Sequence, residues 1–121
     1  MIPVPLATQH VFTTAANIAV QLHALHEISA TAFGDTEHRV VVLPAREATL
    51  GDMYECARRV GSELGLPVGR CQVEEDPVIT AIVKSWCTSV SYAKAERLGL
   101  PFDFDMDAVI RDFAQHTHHR G

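Results

Sequence analysis

Gln9, His10, Thr13 and Thr14 crowd an amide, an imidazole and two hydroxyls into one short stretch just before a helical pattern begins. Such a set can hold a small polar ligand: an imidazole exchanges protons near neutral pH, and the free amides of a helix start favour anionic groups. The two threonines are also what an N-cap needs, so capping and ligand contact both fit the pattern. Trp86, the single tryptophan, falls at a helix end near a turn, where it serves either as a core or interface anchor or as the wall of a pocket. Gln9, His10, Thr13, Thr14 and Trp86 are therefore the candidate substrate-binding residues.

Other chemistry is less well supported by spacing. The chain has seven histidines, but His23 and His26 on one helix and His116, His118 and His119 near the end have no further ligand at a recognisable metal spacing, so they read as surface and tail residues. Tyr92 and Lys94 are two positions apart, which turns their side chains about 200° from each other on a helix, so they cannot work as a Tyr–Lys acid/base pair. No GxGxxG is present to cradle a pyrophosphate, and no cofactor is expected to bind this chain by itself. Cys56, Cys71 and Cys87 lack CxxC spacing. Cys56 and Cys87 adjoin helical apolar residues and read as buried, inert thiols, and the odd number fits a reduced, cytoplasmic setting.

The elements that must place these residues are legible in part. Gln9–Thr14 reads as a short strand running into a helix cap, and Ile18, Leu22, Leu25 and Ile28 carry a helix from Ala15 to about Ala32. Gly34 and Asp35 break the chain. Arg39-Val40-Val41-Val42-Leu43-Pro44 is apolar without alternation, the pattern of a strand covered on both faces in a parallel sheet. Thr49 and Asp52 announce a helix that Gly65 ends, Val68–Glu74 reads as a second strand, and Asp76-Pro77 opens another helix. Ser91 is placed to cap a short helix from Tyr92 to Leu98, and Asp105 to cap a last one with Met106, Val109, Ile110 and Phe113.

At 121 residues the chain fits one domain, residues 1–121. A formal net charge of −5 without a basic stripe excludes nucleic-acid binding, and no apolar run approaches spanning length. The apolar share of 47% beside 21% charged residues leaves a lightly charged surface, which favours a buried interface. The expected fold class is α+β, mainly helical with few short strands, too few to complete a sheet around the valine run. That run is expected to be completed by another copy or another polypeptide.

The order Pro3-Val4-Pro5, Gln9-His10, Val40–Pro44, Thr49, Glu75-Asp76-Pro77 with Ile79 and Ile82-Val83, Ser85-Trp86, Arg97-Leu98-Gly99-Leu100 and Asp107 to Phe113 resembles the C-terminal region of extended short-chain dehydrogenases. Within that family it is most similar to the NAD-dependent epimerase/dehydratases of the D-erythronate dehydrogenase-like branch. Gln9 stands where the family has arginine, and Val11 and Thr13 where it has an aromatic residue and serine. The resemblance implies a substrate-binding region that closes over a Rossmann domain, with Val40–Pro44 a late strand of its sheet. It further implies that the glycine-rich cofactor loop, the catalytic serine or threonine and the YxxxK pair lie upstream of Met1. NAD would then bind only in company with a Rossmann partner chain, and the expected partners are a small-molecule substrate and either that chain or a second copy. The alternative is a stand-alone homo-oligomer that binds a small molecule or catalyses a cofactor-free isomerisation or cyclisation with groups such as His10 and Glu75.

Overall fold

Where the sequence offers an oxygen to the first free amides of a helix, a helix begins. A computed structural model of the chain describes residues 1–34, 38–102 and 105–118, with side chains through Gln115. Thr14 Oγ1 accepts from the Asn17 amide at 3.1 Å and opens α1, Ala15–Glu27. Thr49 and Asp52 close a full capping box, with the Asp52 amide 3.0 Å from Thr49 Oγ1 and the Thr49 amide 3.0 Å from Asp52 Oδ2, at the head of α2, Leu50–Leu64. Gly65 ends α2 at φ 67°, a left-handed conformation that an L side chain resists. Asp76 Oδ1 accepts from Val78 and Ile79 at 2.8 and 3.1 Å, and Pro77 takes the first position of α3, Pro77–Lys84. α4, Ala93–Arg97, starts at Tyr92 without a side-chain cap, so the expected Ser91 cap is not made. Asp105 Oδ1 accepts from the Asp107 amide at 3.0 Å at the start of α5, Met106–His118.

The fold is α+β and mainly helical, and the strands among the described residues are β1, Gln9–Phe12, and β2, Arg46–Thr49, which form one two-stranded sheet. β1 lies where a strand was expected. β2 has no apolar alternation to announce it; bonds from Leu50 to the Thr8 carbonyl at 3.2 Å and from Gly51 to the Leu6 carbonyl at 2.9 Å continue its pairing. No described helix is long and apolar enough to cross a membrane.

The chain divides into two compact units. The first comprises residues 1–11, 47–88 and 105–121, and the second 12–46 and 89–104. In the first, α5 packs on α2 over Cys56 and Val60, and Val4 and Val83 are buried. The N-terminal segment is held by the bonds Ile2 to Gln72, Glu74 to Ile2 and Asp76 to Pro3, the Asp76–Pro3 bond measuring 2.9 Å. In the second, Ala95 and Leu100 are buried, and so is Gln21, at 1% exposure. Gln21 Nε2 donates to the carbonyls of Pro44 and Pro101 at 3.1 and 3.2 Å, joining α1 to two loops.

Three expected elements differ. Arg39–Pro44 is not a strand: among the described residues the amides of Val40–Leu43 make no backbone hydrogen bond, and Val40 and Val42 are 72% and 47% exposed. A strand is held by bonds to a neighbour remote in sequence, and no described segment runs beside this one. Val68–Glu74 is likewise no strand; its pairing reduces to one parallel bridge between Ile2 and Val73. The helix expected to reach Ala32 stops at Glu27, and Ala30–Phe33 is a separate 3₁₀ turn ended by Gly34 at φ 75°. Asp35 lies outside the described residues.

Candidate functional site

The segment leading into β1 and the end of α3 with the residues just after it lie in the first unit, and they carry the polar side chains around a groove. This groove of about 370 Å³ is lined by Pro5, Ala7, Thr8, Gln9, Val83, Lys84 and Thr88. Its size falls within the roughly 300–1,000 Å³ of small-molecule sites. The segment reaches its position for local reasons. Pro3 and Pro5 keep the N-terminal residues extended, and the bond from Thr8 to the Pro5 carbonyl at 3.0 Å turns the chain into β1. On the other side, Val83 is buried and anchors α3, which leaves its neighbour Lys84 exposed.

Of the candidate residues, Gln9 lines the groove, and its neighbour His10 meets Trp86 edge-on, with ring centroids 5.8 Å apart and planes at 61°. That geometry places the positive edge of one ring against the face of the other. Trp86 is 55% exposed, so the core-anchor reading fails: its position just past the α3 C-cap directs it outward. Thr13 and Thr14 belong to the second unit. Thr14 is the α1 cap, as its type and place require, and Thr13 Oγ1 is buried without a hydrogen-bond partner among the described residues. Glu75 lines a different groove, with Met1, Pro3, Glu74, Asp76, Pro77 and Ile79, and no described contact joins it to His10.

Thr8, Lys84 and Thr88 also line the groove, and the sequence reading passed over them. Thr8 and Lys84 stand next to or near the chosen Gln9 and Trp86, so proximity in sequence was the available signal.

The strongest electrostatic cluster lies elsewhere in this unit. Cys56 Sγ donates to Asp107 Oδ1 at 2.9 Å, Arg59 forks onto both oxygens of Asp107, and Arg111 pairs with Glu63. Burial, followed by the bond to the Asp107 carboxylate, pushes the Cys56 thiol up to about 11. The Arg59 bonds hold the Asp107 carboxyl well below the usual carboxylate range. A thiol so protonated is no nucleophile, which agrees with the inert reading of Cys56. Cys87, expected to be buried, is exposed. His23 and His26 are exposed on α1, while the side chains of His116, His118 and His119 lie outside the described residues.

No protein-family model matches the sequence, and no curated protein matches it. Among solved structures, the fold is similar to that of an L-threonine dehydrogenase from the common hospital pathogen Clostridium difficile, with a TM-score of 0.77 and 15% sequence identity. That likeness covers 98% of this chain and 35% of the dehydrogenase chain. The chain therefore shares the fold of part of that protein, and it spans about a third of that protein's length.

Proposed function

We propose that this chain is the substrate-binding portion of an NAD-dependent oxidoreductase of the epimerase/dehydratase type, acting on a sugar or sugar acid, and that hydride transfer needs a Rossmann domain that these residues do not supply. The observation that carries the reading is the valine run. Val40 and Val42 lie 72% and 47% exposed on a segment whose amides bond to no described backbone group. Val40 and Val42 lose apolar burial and strand bonds together in this state, an arrangement that a sheet edge from outside would repair. The likeness to an enzyme of which this chain spans 35% supports the same reading.

In this reading Gln9 holds the substrate in the groove, and His10, the next residue, packs edge-on against Trp86. Bound to the Rossmann domain, the nicotinamide would supply the hydride acceptor; the residues of this chain bind and orient the substrate. The structural neighbour is named for L-threonine, and the resemblance points to sugar acids. Both are small hydroxylated carboxylates, a class that a groove of amide, hydroxyl and ammonium groups can hold.

A second reading is a stand-alone homo-oligomer that binds a small molecule or works as a cofactor-independent isomerase or cyclase. It is favoured by the exposed apolar residues of α1 and α3, Val20 at 55%, Leu22 at 54%, Val78 at 68% and Ile82 at 53%.

Hydrogen exchange with light scattering on the purified chain tests these readings. The first expects the amides of Val40–Leu43 to exchange without protection in the isolated chain. It also expects no saturable NADH binding by fluorescence. The second expects a defined oligomer. A solitary monomer with those four amides strongly protected removes the reason to invoke a completing sheet.

A further inference from the structure

Charge around the groove is one-sided. Its lining contains a single cation, Lys84, beside Thr8, Gln9 and Thr88, and no carboxylate, in a chain whose formal net charge is −5. A lysine in the last turn of a helix often serves the free carbonyls there. In α3 two of those carbonyls are already taken. Ile82 O accepts from the Ser85 amide at 3.1 Å and from Ser85 Oγ at 2.6 Å, and Val83 O accepts from the Trp86 amide at 3.1 Å. Among the described residues Lys84 has neither an ion-pair nor a hydrogen-bond partner.

We propose that Lys84 sets the charge preference of this groove, which takes a small, singly charged, hydroxyl-bearing anion ahead of its neutral counterpart. The inference rests on the substrate-binding reading of the groove and adds the residue that discriminates. The ammonium is a compact donor of three hydrogen bonds with no acceptor, so it selects an anion. One ammonium matches one negative charge, whereas a phosphate, with about −1.5 to −2 at neutral pH, would leave most of its charge unmet. Gln9, Thr8 and Thr88 both donate and accept, which suits hydroxyls along the same ligand. The carbonyl end of α3 repels an anion, so the preference depends on the side chain and not on the helix.

The test is an amide-resolved NMR titration of the full chain with gluconate and, separately, with sorbitol, its neutral counterpart of equal length. Gluconate should shift Gln9, Lys84 and Thr88 saturably, about fivefold more tightly than sorbitol, the factor that one exposed ion pair supplies. Lys84→Gln should bring gluconate to the sorbitol affinity, Lys84→Arg should keep most of the preference, and added salt should erode it. Equal binding of the two probes by the unaltered chain, or undiminished gluconate binding by Lys84→Gln, overturns the role of Lys84 and leaves the groove reading in place. No saturable shift from either probe overturns the groove reading itself.

Discussion

The Cys56 thiol on α2 donates to Oδ1 of Asp107 on α5 across 2.9 Å, from a side chain only 7% exposed. Its pKa lies at about 11 in the fold against an ordinary 9.0. Between these values the unfolded chain has lost a proton that the folded chain keeps. Stability contributed by the thiol is therefore complete below about pH 9 and is lost as pH rises towards about 11. Urea titrations of the chain and of Cys56→Ala between pH 8 and pH 11 should show the unaltered chain losing stability more steeply. At pH 8, alkylation read by mass spectrometry should modify exposed Cys87 at least tenfold faster than Cys56.

The fork of Arg59 onto Asp107 and the Arg111–Glu63 pair both join α2 to α5 at the surface. Asp107→Asn should lower the melting temperature by a few degrees, since it removes the fork and weakens the acceptor of the Cys56 thiol. The Asp107 carboxyl titrates well below its ordinary 3.8 in the fold. Its contribution is present above that value and fades as pH falls beneath it. The melting-temperature gap between chain and variant should therefore narrow in acid, and a gap that widens there would contradict the assignment.

Gly61 sits where α2 meets the loop that follows it. A Cβ there would lie 2.3 Å from Val68 Cγ2 and 3.2 Å from the Leu66 carbonyl oxygen. Gly61→Ala alone should destabilise by about 1–2 kcal/mol as the overpacked pair moves apart. In a Val68→Ala background the clash with the γ-methyl is gone, and the helix preference for alanine over glycine, about 1 kcal/mol, should cancel or reverse the loss. A denaturant double-mutant cycle measures this coupling, and simple additivity would show that the contact is not made.

Gln21 lies buried with both donor hydrogens directed at the Pro44 and Pro101 carbonyls. Gln21→Leu leaves two acceptors unpaired and should cost about 1–3 kcal/mol in urea unfolding. Gln21→Glu should cost more, because it aims a buried carboxylate at two carbonyl oxygens. If the glutamate variant were the more stable, the bonding pattern given for Gln21 would be wrong.

Read alone, the sequence determined where most helices begin and where the second ends. Thr14, the Thr49–Asp52 box, Asp76-Pro77, Asp105 and Gly65 each act on amides or carbonyls within about four residues, so their partners are fixed by covalent proximity. Tertiary structure decided what depends on remote neighbours. Six residues from Arg39 to Pro44 have the composition of a buried strand and no described chain to pair with, while Arg46–Thr49, with no such pattern, pairs with β1. The same holds for the site. Gln9 and His10 were legible as a polar cluster, but Lys84 joined the groove only because burial of Val83 fixes the rotation of α3. Helix caps are local, whereas strand pairing and grooves need contacts the chain makes only once folded, and for the valine run those contacts are not made among the described residues.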